Sequence, residues 1–140
     1  MSKIAVVYWS GTGNTEAMAK AVLDGIRENG GEGVMMTSAE FNSSMMDDFD
    51  AIAFGCPSMG AETLEDSEFE PMFNACESKF NGKKIGLFGS YGWGDGEWMR
   101  DWEEDCKAAG ADLVVEPVMA NEMPDDAALA ACKALGAALT

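Results

Sequence analysis

The sequence has no histidine, which removes the commonest zinc ligand and the usual general base, and with them most metallohydrolase and histidine-dyad chemistry. Cations are scarce too: nine lysines and arginines face 25 aspartates and glutamates, for a net charge of −16. A surface of that sign repels nucleic acid and anionic membranes and suits basic protein partners. No run of about 18 apolar residues occurs, so no segment reads as a membrane span. Met1-Ser2-Lys3 leads straight into an apolar run without the layout of a signal peptide, which gives a cytoplasmic address as the expectation. The charge favours a monomer. The four cysteines stand singly, without a C-x-x-C pair. Cys76, Cys106 and Cys132 fall at apolar helix positions and read as core thiols, and Cys56 as a small wall residue of a loop.

No linker, repeat or low-complexity tract divides the 140 residues, of which 47% are apolar, so the whole of 1–140 reads as one domain. What is present is alternation. Lys3–Tyr8, Gly33–Met36, Asp50–Gly55, Lys84–Gly89 and Leu113–Val118 read as strands, the last weakened by Pro117. Between and after them lie helical stripes. Asn14–Asn29 carries Met18, Val22 and Ile26 at four-residue spacing, and Gly30-Gly31 closes it. Ser67–Phe80 carries Phe69, Met72, Phe73, Cys76 and Phe80, with Pro71 near its first turn. Glu97–Ala109 carries Met99, Trp102 and Cys106, and Asp125 caps a last helix with Ala128, Cys132, Leu135 and Leu139 on one face. Strands that are solidly apolar are covered on both faces. The pattern predicts a doubly wound α/β domain, with ligands held at the C-terminal ends of the strands.

Three strand-end loops carry chemistry. After the first strand, Trp9-Ser10-Gly11-Thr12-Gly13-Asn14-Thr15 combines glycines, hydroxyls and an amide with a helix N-terminus, the makings of a phosphate cradle. It is not a Walker loop, since no lysine or arginine lies between Lys3 and Lys20. Nor is it a dinucleotide loop, since Glu16 stands where a third glycine belongs. Cys56-Pro57-Ser58-Met59-Gly60-Ala61-Glu62 follows the third strand, and Ser90-Tyr91-Gly92-Trp93-Gly94-Asp95-Gly96 the fourth. Trp93, flanked by glycines, and Met59 offer two faces for a flat aromatic ligand. Glu62 can accept from a ring N–H, and the backbone around Gly92 and Gly94 can donate to ring carbonyls.

The stretches SGTGNT, GCPSMGAE and GSYGWGDG resemble, nearly end to end, those of the short-chain flavodoxins of anaerobic bacteria. The resemblance implies the flavodoxin-like fold, a five-stranded parallel sheet in the order 2-1-3-4-5 with helices on both faces. It implies one non-covalent FMN and a low-potential electron carrier working through the semiquinone/hydroquinone couple. Ser10, Gly11, Thr12, Gly13, Asn14 and Thr15 would take the phosphate. Met59 and Trp93 would stack on the ring, and Glu62 would bond flavin N3. Pro57, Ser58, Gly60, Ala61, Ser90, Tyr91, Gly92 and Gly94 would complete the pocket, with Asn121 as a nearby wall. Gly60 is where the family's loop peptide reorients on one-electron reduction. Pro57 and Ala61 depart from residues that some relatives carry and bear on affinity or potential. Glu62, Glu65, Asp66, Glu68, Glu70, Asp95, Glu97, Asp101, Glu103, Glu104 and Asp105 would form an acidic rim that lowers the potential and docks basic patches of flavodoxin- or ferredoxin-dependent redox enzymes.

Other readings fit less well. A receiver domain needs an aspartate where Gly55-Cys56-Pro57 stands, and a cysteine phosphatase needs an arginine where Glu62 stands. A flavin enzyme such as a quinone reductase, and a carrier dedicated to ribonucleotide reductase, are the alternatives on the same fold.

Overall fold

The structure, a computed structural model, describes residues 2–11, 13–59, 64–92 and 96–140. Its first strand, β1 (Lys3–Tyr8), shows why these strands read as unbroken apolar runs. Ile4 and Val6 point into one core cluster, and Ala5 and Val7 into another on the opposite sheet face. Burial on both sides requires apolar residues at every position.

The remaining elements are α1 (Asn14–Glu28), β2 (Glu32–Thr37), a 3-10 turn at Ser43–Asp48, β3 (Ala51–Gly55), α2 (Phe69–Cys76) with a 3-10 extension at Glu77–Lys79, β4 (Lys84–Tyr91), α3 (Glu97–Ala108), β5 (Asp112–Leu113), β6 (Val118–Asn121) and α4 (Asp126–Leu139). The strands form one parallel sheet in the order β2-β1-β3-β4-β5, and β6 also pairs with β4. The expected order therefore holds, with one correction. The fifth strand is two short pieces, not a continuous Leu113–Val118. Pro117 cannot donate to the ladder, so the chain leaves β4 after Leu113 and rejoins it at Val118. The 3-10 turn was absent from the sequence reading.

α2 and α3 cover one face of the sheet over a cluster centred on Phe54, whose ring meets Phe73 edge-on at 5.2 Å. α1 and α4 cover the other. Where those two helices cross, a Cβ on Gly136 would lie 2.2 Å from the Val22 carbonyl oxygen, and one on Gly25 would lie 2.1 Å from that of Lys133. These obstructions are backbone and cannot swing aside. Gly136→Ala must push the helices apart, and should cost about 3 kcal/mol. In thermal melts of the apoprotein that is a drop of roughly 6–12 °C.

Asp125 caps α4 as expected, accepting the Ala128 N–H at 2.8 Å. All four cysteines are free and buried. Cys56, expected as a small wall residue of its loop, is fully buried, with Sγ bonded to the Glu65 N–H.

Candidate functional site

Parallel register brings the C-terminal strand ends together. Tyr8 pairs with Gly55, Gly55 with Phe88, and Tyr91 with Asn121. Beyond β3 the chain keeps bonding to β4, Cys56 N–H to Phe88 O at 3.2 Å and Ser58 N–H to Ser90 O at 3.0 Å. The pairing thus runs on to Ser58, beside the end of β4 at Tyr91, so the second and third loops leave the sheet at the same level.

Between these loops lies a cavity of about 400 Å³, lined by Trp9, Gly11, Asn14, Pro57, Ser58, Met59, Ser90, Tyr91, Gly92 and Glu122. That volume is in the range of small-molecule sites. Eight of these residues belong to the expected set. Trp9 and Glu122 were missed. Trp9 had a readable signal, an aromatic directly at a strand end, and its indole lies over Gly11, where a Cβ would come within 3.1 Å of the ring. Glu122 had none. It holds a positive φ of 58°, alone among non-glycine residues described, and its N–H is bonded to Tyr91 O at 2.6 Å. Asn121 does not reach the cavity. It lines a larger groove of about 770 Å³ along β6 and α4, next to the exposed Met119 and Met123. The expected residues Thr12, Gly60, Ala61, Glu62, Trp93 and Gly94 lie outside those described, as does Asp95 of the acidic rim.

The first loop is built to receive an acceptor. Gly13 takes φ 94°, a left-handed conformation that glycine adopts cheaply, and so turns the chain into α1. Ser10 Oγ then accepts the N–H groups of Gly13 at 3.1 Å and Glu16 at 3.3 Å. A hydroxyl oxygen thus stands where backbone donors and the helix dipole converge, the position suited to a phosphate oxygen. Thr15 behaves differently. It is buried, and its hydroxyl is hydrogen-bonded to that of Ser90 at 3.0 Å, tying α1 to β4. Across the cavity, Ser58 Oγ is buried without a partner. An orphaned hydroxyl is costly unless a ligand satisfies it. A cavity holding neutral donors, an aromatic wall and an unsatisfied hydroxyl fits a phosphorylated, flat, polar-edged ring such as FMN.

Glu65 corrects the acidic rim. It is buried, and its carboxylate accepts the N–H groups of Glu68 and Phe69, each at 2.8 Å, together with the N–H and hydroxyl of Ser67. It caps α2 from inside. Burial alone would raise its pKa, but the hydrogen bonds outweigh burial and hold it below the ordinary 4.5. A depressed folded pKa contributes stability that is present above the unfolded value and is lost as pH falls through the folded one. Glu65→Gln should therefore be destabilised by about 2 kcal/mol at pH 7. Urea melts should show that gap closing as pH drops below about 4.5. Glu68, another expected rim acid, accepts the Ser38 hydroxyl at 2.7 Å. Asp66, Glu97, Asp101, Glu104 and Asp105 are exposed.

A doubly wound parallel sheet, with a glycine- and hydroxyl-rich helix N-terminus beside a small-molecule-sized cavity at its C-terminal edge, has the form of a mononucleotide-binding domain. Comparison with known proteins narrows the class. The sequence model of the family Flavodoxin matches residues 6–136. The chain is 47% identical over 138 residues to the flavodoxin of Megasphaera elsdenii, covering 96% of each, and 46% identical over 122 residues to that of Clostridium beijerinckii, covering 87% of this chain and 88% of the other. The solution structure of the two-electron-reduced Megasphaera elsdenii flavodoxin superposes with a TM-score of 0.87 at 44% identity, covering 97% of each chain. The chain belongs to the flavodoxin family. Like other flavodoxins it binds FMN and carries electrons; the flavin-enzyme alternative is not favoured by these relatives. Among the described residues, no helix is long and apolar enough to cross a membrane and no group of His, Cys, Asp and Glu could hold a metal ion.

Proposed function

We propose that this protein, a single domain, is a low-potential cytoplasmic carrier that passes single electrons between redox enzymes bearing basic docking patches, and that it works as a monomer. Bound FMN supplies the one-electron chemistry. The chain's own residues bind it, orient it and bias its charge.

In this reading the phosphate is held by Ser10, Thr12, Gly13, Asn14 and Thr15, with Thr15 contributing its backbone N–H, since its hydroxyl is engaged by Ser90. Met59 and Trp93 enclose the ring, Glu62 accepts from its N3 edge, and Gly92 and Gly94 serve the carbonyl edge. Gly60 gives the second loop the freedom to adjust to reduction. Ser58 Oγ, buried without a partner, bonds the cofactor, and so makes good the hydroxyl absent at Pro57.

The observation that carries the reading is the Ser10 oxygen, which takes two backbone N–H groups at the α1 N-terminus, with no cationic side chain among the described residues lining the cavity. A site without cations, in a chain of net charge −16, opposes added negative charge on its ligand. Each carboxylate about 10 Å away contributes a few tenths of a kcal/mol in a water-like dielectric. Spectroelectrochemical titration of the holoprotein tests this. The more negative one-electron step is expected to fall tens of millivolts or more below that of free FMN, taking about 59 mV per 1.4 kcal/mol. A potential equal to or above that of free FMN would rule out the low-potential role.

A further inference from the structure

We propose that Cys56 is a positioning residue for the flavin, a clasp that holds Pro57, Ser58 and Met59 at the cavity by tying their stretch of chain to Glu65. The proposal rests on the FMN site described above.

The loop leaves the core at Cys56 and returns at Glu65, and both ends are fastened to the one cysteine. On the departing side, its N–H is bonded to Phe88 O at 3.2 Å, and its carbonyl accepts the indole N–H of the buried Trp98 at 3.2 Å. On the returning side, the Glu65 N–H donates to Cys56 Sγ at 3.4 Å. Glu65 is itself immobilised, because its carboxylate is spent on the N–H groups of residues 67–69 at the start of α2. The thiol also donates to Pro57 O at 3.5 Å. Burial pushes its pKa up to about 12, so it stays a neutral S–H able to donate and accept at once.

The surroundings are cut to this arrangement. A Cβ on Gly89 would lie 2.2 Å from Cys56 O, so β4 carries no side chain where that carbonyl approaches. Trp98 also packs on Tyr91, a cavity residue, with ring centroids 5.5 Å apart. Pro57, Ser58 and Met59, which line the cavity, follow the clasp directly. The main-chain bonds would survive any side chain at position 56; what the thiol itself adds is the acceptor for the Glu65 N–H and the contact to Pro57 O. Cys132 supplies the comparison: it is just as fully buried but sits in the cluster on the other sheet face, between α1 and α4.

A closed loop loses less conformational freedom when it grips a ligand, so the clasp should appear in the release rate. The test is stopped-flow binding and release of FMN and of riboflavin by wild type, Cys56→Ala, Cys56→Ser and Cys132→Ala. Cys56→Ala should release both ligands about tenfold faster, with association unchanged within twofold. Cys56→Ser, which keeps an acceptor for the Glu65 N–H, should stay within about threefold of wild type, and Cys132→Ala within twofold. Release from Cys56→Ala equal to wild type, or an equal acceleration in Cys132→Ala, overturns the clasp while leaving the FMN site standing. Failure of wild type to bind FMN overturns both. Should Cys56→Ala not fold, Trp98→Phe carries the test, because it deletes the donor to the Cys56 carbonyl. The same tenfold acceleration is expected there, and an unchanged rate overturns the proposal.

Discussion

Ser10→Asp should cost the protein its cofactor while stabilising the apoprotein. The Ser10 oxygen already sits where the Gly13 and Glu16 N–H groups converge at the start of α1. A carboxylate placed there satisfies the same donors and complements the helix dipole, which is worth about 0.3–1 kcal/mol. The FMN phosphate, close to two negative charges at neutral pH, then meets a fixed anion in its own seat. At about 4 Å with an effective dielectric of 20 that repulsion is on the order of 4 kcal/mol for each unit of phosphate charge, so affinity should fall at least a thousandfold. Riboflavin has the ring without the phosphate, so its affinity should change less than threefold. Calorimetric titration with both ligands checks the expectation. An unchanged FMN affinity would mean that the phosphate lies elsewhere.

The second large effect concerns partners. Twenty-five acids against nine bases leave a field that attracts cationic surfaces, and Asp66, Glu97, Asp101, Glu104 and Asp105 all face solvent. The screening length shrinks from about 30 Å at 0.01 M salt to about 3 Å at 1 M. Electron transfer from the reduced holoprotein to a basic acceptor such as cytochrome c should therefore slow by about 10- to 1000-fold over that range. A small neutral quinone acceptor should show almost no salt dependence. Equal salt profiles for the two acceptors would remove the electrostatic docking surface from the account.

How far the sequence could be read depended on whether a feature had a period. β1 was read to its end residues because Ile4 to Val7 form an unbroken apolar run, and α1 because Met18, Val22 and Ile26 recur on one face. The turn at Ser43–Asp48 is too short to show a period. Pro117 was recognised as a weakness, yet what it does is divide the strand, because β4 is long enough to pair with both pieces. Polar residues misled more often. Glu65 looked like one rim acid among many in a charged segment, and only the chain's return past Cys56 makes it an internal cap. Thr15 looked like a phosphate hydroxyl, but its partner Ser90 is distant in sequence. Glu122, which lines the cavity at a positive φ of 58°, carries no signal in its residue type that announces either. The turn of the first loop into α1 was legible because glycines, hydroxyls and a helix start are all local.

A titration of folded apoprotein with FMN and with riboflavin, followed by flavin fluorescence and absorption, tests the site most directly. One FMN per chain should bind, with its absorption bands perturbed as the ring enters the cavity. Riboflavin should bind the same site at least a hundredfold more weakly, for want of the group that the α1 N-terminus holds. Equal affinity for the two ligands, or no change in either spectrum, would contradict a site whose grip comes from neutral donors gathered around a phosphate.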